Sequence, residues 1–394
     1  MKAVILAAGK STRTYPLTVS SPKALLRVAN RSIIEHTLAQ LQGFVDEAVI
    51  VTGYHAEQVR KQLGGSFGRV KITYVSQKEQ LGTGNALLAA AGKVKGKFIL
   101  LMGDDLYARE DIAKCMKAGY CILAKEVPDT SSFGSVLAKG NALAGIKEKE
   151  KGAKAGLANT GLYVVDERIF AVAGKLKKSS RGEYELTDAI LEFAKLEKVS
   201  VVRASSWMPI TYPWSLLEAN ERLLEKIGGD VYATVEKNAV IKGNVIVGKN
   251  SLIRSGVYIE GPAIIGENCD IGPNCYIRPF TSIGNNCRIG NGVEVKNSII
   301  MDRSHIGHLS YIGDSVIGKD VNFGAGTMIA NLRHDDADIK SMVNGKLISS
   351  NRRKLGAIIG DSAKLGIHTS IYPGRKIWPG QTTRPGEIVK DDIC

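Results

Sequence analysis

From about Val235 onward, an aliphatic residue recurs at every sixth position: Ile241, Val247, Ile253, Ile259, Ile265, Ile271, Ile277, Ile283, Ile289 and Val295. Glycine often follows it, as at Gly248, Gly266, Gly272, Gly284 and Gly290. The run continues at Ile306 and Ile312, slips by one to Ile317, and resumes at Phe323 and Ile329. It breaks over 333–354 and returns at Ile359, Leu365, Ile371 and Ile377. A period of six suits neither a helix nor a hairpin, and it is the signature of a parallel β-helix. Three hexads close one triangular coil, so residues about 18 apart stack, with coils about 4.8 Å from each other.

The first part of the chain has a different rhythm. Residues 2–6, 47–52, 72–75 and 98–102 are short apolar runs that read as buried strands. Between the first two, Ser32 and Glu35 have the spacing of a capping box, opening a helix with Ile33, Ile34, Leu38 and Leu41 on its apolar side. Strand, helix and strand in repetition imply a largely parallel, doubly wound α/β sheet, whose ligands bind at the carboxyl ends of the strands. The expected organisation is a catalytic α/β domain over 1–228, a linker at 229–234 and a β-helix over 235–394.

Composition narrows the partners. No apolar run in the 394 residues approaches the 18 or so needed to span a bilayer, and the N-terminus lacks a signal-peptide pattern, so no membrane and a cytoplasmic location are expected. The six cysteines form no CxxC pair and no metal spacing, which implies free thiols. A net charge of +14 calls for anionic partners, but no nucleic-acid-binding motif accompanies it. Lysines such as Lys93, Lys95 and Lys97 read as solvated, and small anionic substrates are the expected partners.

The first strand ends in Leu6-Ala7-Ala8-Gly9, followed by Arg13, Pro16, Pro22 and Lys23. Small residues there let backbone N–H groups approach phosphates, while Arg13 and Lys23 supply positive charge. The Walker spacing is absent, and a glycine-bearing turn alone is weak evidence. A carboxylate after Gly103 at the end of the 98–102 strand, Asp104 or Asp105, is well placed for Mg²⁺.

The string from Ala7 to Leu26 resembles the signature of sugar-phosphate nucleotidylyltransferases, G-x-x-T-R-x-x-P followed by P-K, and the resemblance extends through the first 220 or so residues. It implies that Leu6, Ala8, Gly9, Gln77, Gln80, Gly82 and Thr83 bind the nucleotide, and that Arg13 and Lys23 are catalytic. It further implies that Asp104 holds the metal and that Gly134, Glu148, Lys149 and Asn159 contact the sugar. Taken unaided, Glu148 lies in a charge run that reads as a solvated loop. One departure stands out: the family's second metal ligand, after the Trp207 strand, falls here on Pro209 or Thr211.

In the hexad region, Arg278 and Lys296 each follow a core residue and are 18 positions apart, so they stack in adjacent coils. Like charges so placed repel, which implies an anion between them. Cys269 and Cys287 share that spacing and read as stacked small residues. His308 is the candidate base. The ordered set Arg278, Lys296, His308, Tyr311, Asn322 and Asn331 resembles the acetyltransferase half of the bifunctional N-acetylglucosamine-1-phosphate uridylyltransferases / glucosamine-1-phosphate acetyltransferases, in the form seen in archaeal relatives.

That resemblance implies that Arg278 and Lys296 hold a sugar phosphate, His308 deprotonates the amine, and Tyr311, Asn322, Asn331 and Lys340 bind substrate. It also implies acetyl-CoA as co-substrate and a homotrimer. Leu332 departs from the bacterial pattern, which has Tyr there.

The first reading is thus an enzyme that transfers a nucleotidyl group from UTP or dTTP to a hexose 1-phosphate and acetylates glucosamine 1-phosphate. A second is a glucose-1-phosphate thymidylyltransferase whose β-helix only trimerises it. A third is a regulatory binding protein with a decayed metal site.

Overall fold

The four expected strands form as Lys2–Ala7, Glu47–Thr52, Val70–Ser76 and Lys97–Met102 in a computed structural model that describes residues 1–148 and 155–394. They lie parallel, with Lys2–Ala7 between Lys97–Met102 and Glu47–Thr52, and Val70–Ser76 beyond. Alternate side chains go to opposite faces, as the period of a strand dictates. Ala3, Ile5, Ile50 and Ile99 join one core with helices Ile33–Leu41 and Arg109–Ala118. Val4, Leu6, Val49 and Phe98 join the other with Thr83–Leu88 and Leu186–Phe193. Helices on both faces make this a doubly wound sheet.

Parallel pairing holds for only part of it. Gly156–Asp166 runs antiparallel to both Lys97–Met102 and Cys121–Val127, and Gly134–Lys139 pairs with Ala142–Glu148 as an antiparallel hairpin. These eight strands form one ten-stranded sheet with Ser200–Arg203 and Ser66–Phe67. The Ala142–Glu148 strand has no buried side chain, so it lacks the apolar run that marked the others. The helix that follows the Gln80 loop spans Thr83–Leu88. Gly82, at φ +101°, turns the chain into it, and the Gly84 N–H is held by the Tyr184 carbonyl at 2.8 Å.

By contacts the chain divides into two units. The first is Met1–Lys10, Pro22–Leu25 and Ile33–Pro209; the second is Ser11–Ser21, Leu26–Ser32 and Ile210–Cys394.

The second unit contains a left-handed parallel β-helix of three parallel sheets, one per face of the prism. Residues 18 apart pair as the hexads require: Ile253 with Ile271, Ile271 with Ile289, and Ile277 with Val295. Their side chains fill the interior, from Val247 to Val389. Three positions before each core residue the backbone turns through positive φ, at Asn250, Asn268 and Asn286 before Ile253, Ile271 and Ile289. Asn and Asp tolerate that conformation, which explains their recurrence at the corners.

Two coils are shortened by one residue, since Ile283 pairs with Ile300 and Ile300 with Ile317. Only the second of these slips was visible in the hexad register. The break at 333–354 contains an antiparallel hairpin, Lys340–Val343 with Lys346–Ser349, after which Ile359 pairs with Ile317. The six cysteines are free thiols. Among the described residues no helix is long and apolar enough to cross a membrane.

Candidate functional site

Each unit carries a cluster of the expected residues. In the first, the Gly103 N–H donates to the Leu6 carbonyl at 2.9 Å, which sets the Gly103 turn against the end of the first strand. Asp104 follows at once, and the Lys23 ammonium donates to it at 2.8 Å. Lys23 is largely shielded, at 10% side-chain exposure, and Asp104 is about a third exposed. Asp105 is differently engaged: the Trp207 indole N–H donates to its carboxylate at 3.0 Å, and Pro209 stands opposite it in the strand pair. The indole therefore orients Asp105, and Pro209 contributes no side-chain donor beside it.

Gln80 donates to the Ala8 carbonyl at 3.1 Å, bringing the expected nucleotide-binding residues after Gln77 to the glycine turn, where Gly9 is exposed. Gln77 is buried and donates within the loop, to the Gly82 carbonyl and to Asn85. The Thr83 hydroxyl accepts from the Leu186 N–H at 3.1 Å. Gly134, Glu148 and Asn159 also converge. A Cβ on Gly134 would lie 2.9 Å from a Glu148 carboxylate oxygen and 3.6 Å from the Asn159 Cβ.

Glu148 corrects the reading of its charge run as a solvated loop. It closes the Ala142–Glu148 strand and pairs with Arg181 at 3.3 Å. Arg181, which also pairs with Glu185, was not identified from the sequence, where nothing distinguishes it from other exposed cations. Asn159 is fixed by bonds to the Tyr163 hydroxyl and the Gly161 N–H. Lys149 lies outside the described residues. Arg13 is exposed on the turn Thr12–Thr14, in the second unit.

Among the described residues, no group of three or more His, Cys, Asp or Glu side chains is arranged to hold a metal. Mg²⁺ is commonly held by one or two carboxylates together with substrate phosphates and water. The partly exposed Asp104 fits such a site, with the nucleotide supplying the remaining oxygens.

On the β-helix, Arg278 and Lys296 do stack, because Ile277 pairs with Val295. Their repulsion is offset without a bound anion: Arg278 pairs with Glu294 at 2.8 Å and Lys296 with Asp314 at 2.9 Å. The like-charge argument for an anion between them therefore fails. Asp314 also accepts from Asn331 at 2.6 Å and from Asn297 at 2.9 Å, and Asn331 donates to the Tyr311 hydroxyl at 3.2 Å. Only 2% exposed, Asp314 organises Lys296, Asn331 and, through Asn331, Tyr311. The sequence did not single it out; it stands at a corner of the coil, with a φ of 49°.

The other candidates lie elsewhere. His308 ends the strand His305–His308 and is exposed. Asn322 is on the same sheet, opposite His305, and Lys340 opens the hairpin.

Asp314→Asn is expected to cost about 3 kcal/mol, the lower end for breaking a buried ion pair, because it leaves the Lys296 ammonium without its carboxylate. Urea denaturation measures this, and an unchanged midpoint would refute the hub role.

Comparison with known proteins gives a consistent picture. Residues 2–226 match the family described as nucleotidyl transferase, and residues 259–355 match the GMPPB C-terminal domain. A Methanocaldococcus jannaschii protein named bifunctional protein GlmU is 40% identical, over 96% of this chain and 92% of that protein. A bifunctional sugar-1-phosphate nucleotidylyltransferase/acetyltransferase of Sulfurisphaera tokodaii is 41% identical, over 100% of this chain and 98% of that protein. A crystal structure from Bacillus anthracis, described as a glucose-1-phosphate thymidylyltransferase in complex with sucrose, superposes with a TM-score of 0.52 at 30% identity. It covers 58% of this chain and 97% of its own.

Proposed function

This chain belongs to the nucleotidyl transferase family and is a sugar-1-phosphate nucleotidylyltransferase, and on that premise we propose that it makes a UDP-N-acetylamino sugar in two reactions. The first acetylates glucosamine 1-phosphate with acetyl-CoA on the β-helix. The second joins N-acetylglucosamine 1-phosphate to UTP, or dTTP, on the α/β domain. Residues 1–228 carry nucleotidyl transfer, 229–234 link the domains, and 235–394 carry acetyl transfer. The working form is a cytoplasmic homotrimer.

The observation that carries the nucleotidyl reading is the 2.8 Å pairing of Lys23 with Asp104, where Gly103 meets the end of the first strand. The sugar phosphate oxygen attacks the α-phosphorus, the bond to the β-phosphate oxygen breaks, and pyrophosphate leaves. Such transfers depend on positioning and charge neutralisation. Lys23 and Arg13 neutralise the phosphates, while Leu6, Ala8, Gly9 and Gln80 hold the triphosphate and base together with Gln77, Gly82 and Thr83. Gly134, Glu148, Lys149 and Asn159 hold the sugar. Mg²⁺, held by Asp104, would add further neutralisation of the triphosphate.

Acetyl transfer is supported by the Arg278, Lys296, Tyr311 and Asn331 cluster on one face of the prism. Arg278 and Lys296 take the sugar phosphate, with Asn322 and Lys340 completing the site. The amine attacks the thioester carbonyl, His308 accepts its proton, and the CoA thiolate departs and is protonated.

The likeness to the Bacillus anthracis protein favours a second reading, a thymidylyltransferase on a scaffold. Pyrophosphate release with each pairing of UTP or dTTP with N-acetylglucosamine 1-phosphate or glucose 1-phosphate tests the choice. Highest kcat/KM with UTP and the acetylated sugar supports the proposal; preference for dTTP and glucose 1-phosphate overturns it.

A further inference from the structure

Two short segments near the N-terminus, Ser11–Ser21 and Leu26–Ser32, belong by their contacts with the β-helix in the second unit. The bonds that place them there are specific. Ser20 donates to the Asp361 carboxylate at 2.7 Å, and the Asn344 amide donates to the Thr12 hydroxyl at 3.2 Å. Arg27 pairs with Asp302 at 2.7 Å, and Asn30 donates to the Ile283 carbonyl. Each bond joins positions at least 253 apart in sequence, so no local turn accounts for the docking.

Between Thr12 and Ser20 the chain is tied to itself. The Ser11 carbonyl accepts from the Thr14 and Thr18 hydroxyls at 2.7 and 2.9 Å, and those two hydroxyls lie 2.9 Å from each other. Both side chains are buried, where such bonds are not readily exchanged for water. The knot leaves Arg13 exposed on its turn. Its two outer partners are themselves fixed. Asn344 opens the two-residue turn of the hairpin, with φ of 47° there and 76° at Gly345, the pair of positive angles that such a turn needs. The Ser341 hydroxyl fastens that hairpin to the Gly374 carbonyl at 2.8 Å. Asp361 uses its other oxygen to accept from the Lys319 N–H at 2.9 Å.

We propose that Asn344 and Asp361 are positioning residues for nucleotidyl transfer: through Thr12 and Ser20 they hold the turn that presents Arg13 to the phosphates. The β-helix is then a working part of that reaction, whether or not it transfers acetyl groups. An exposed arginine on a free turn loses conformational freedom each time it engages a phosphate. Held in place beforehand, its charge stabilises the transition state without that cost. A shift of about 1 Å in such a group is enough to lower a rate by about 100-fold. This role rests on the reading of Arg13 as a phosphate-neutralising residue, and on no part of the acetyl-transfer reading.

Steady-state pyrophosphate release by the full chain, with UTP and N-acetylglucosamine 1-phosphate, tests this in a mutant cycle of Arg13→Ala against the pair Asn344→Gly and Ser20→Ala. Glycine accepts the positive φ of the hairpin turn, and Ser20→Ala removes only a hydroxyl, so the thermal midpoint moves by no more than a few degrees. The paired substitutions lower kcat at least about tenfold on their own and less than about twofold in the Arg13→Ala background, because their effect passes through that guanidinium. With Ser20→Thr in place of Ser20→Ala a hydroxyl returns, and the rate recovers. An unchanged kcat overturns the proposal. So does an equal fall in both backgrounds, which is what a merely structural role would give. Arg13→Ala at the wild-type rate would overturn it at its premise, and so separates the failure of the Arg13 reading from a failure of the two contacts.

Discussion

Replacing Lys23 by methionine lowers the turnover number for pyrophosphate release at least about 100-fold and moves the thermal midpoint by only a few degrees. The expectation follows from where the charge sits. Lys23 is shielded from solvent yet reaches Asp104 at 2.8 Å, so its ammonium acts where screening by water is weak. Phosphates entering beside it gain a fixed positive charge that needs no reorganisation during the reaction. Methionine preserves the length and apolar volume of the stem, so packing around it survives. Asp104, a third exposed, can be hydrated when its partner is lost. Steady-state release of pyrophosphate at saturating nucleotide reads the effect. A variant within a few-fold of wild type would show that Lys23 only ties down Asp104.

His308→Ala reduces CoA release from acetyl-CoA by about 100-fold or more and leaves pyrophosphate release unchanged. The amine of glucosamine 1-phosphate must lose a proton as it forms the amide, and a positioned base contributes an effect of this size. His308 is exposed at the end of its strand, three residues before Tyr311 on the next face of the prism. A solvent-exposed side chain can be removed without disturbing the core, so lost activity reports on chemistry rather than folding. Thiol release is followed against a blank without sugar, because Cys394 is exposed. Equal rates in wild type and variant would leave the β-helix as a scaffold.

Much of this architecture was legible because it is periodic. Hexad positions such as Ile253, Ile271 and Ile289 announce a stacked interior one residue at a time, and the parallel strands near the N-terminus are continuous apolar runs. What escaped has no local signal. The strand Ala142–Glu148 is half-solvated along its length, so neither alternation nor a run marks it, and Glu148 was read as loop. Shortening before Ile300 was missed because Ile299 and Ile300 are both aliphatic, although Ile306 already lies 17 rather than 18 positions beyond its partner Ile289.

The sites divide the same way. Lys23 and Asp104 were singled out by short motifs, and the structure pairs them at 2.8 Å. The Trp207 bond to Asp105 joins positions a hundred residues apart in sequence and could be seen only in three dimensions. Asp314 was missed because a corner Asp is common for backbone reasons, and only burial among Lys296, Asn297 and Asn331 distinguishes it. The stacking of Arg278 on Lys296 was foreseen, but each brings its own carboxylate from a neighbouring position in the coils.

The central claim, two sequential reactions on one chain, is tested most directly in a single tube. Enzyme, glucosamine 1-phosphate, UTP and Mg²⁺ are followed by phosphorus NMR, with and without acetyl-CoA. The account predicts that UDP-N-acetylglucosamine accumulates only when acetyl-CoA is present, with one CoA and one pyrophosphate released for each product molecule. A nucleotide sugar formed equally well without acetyl-CoA, with the acetyl donor left intact when it is present, would contradict it.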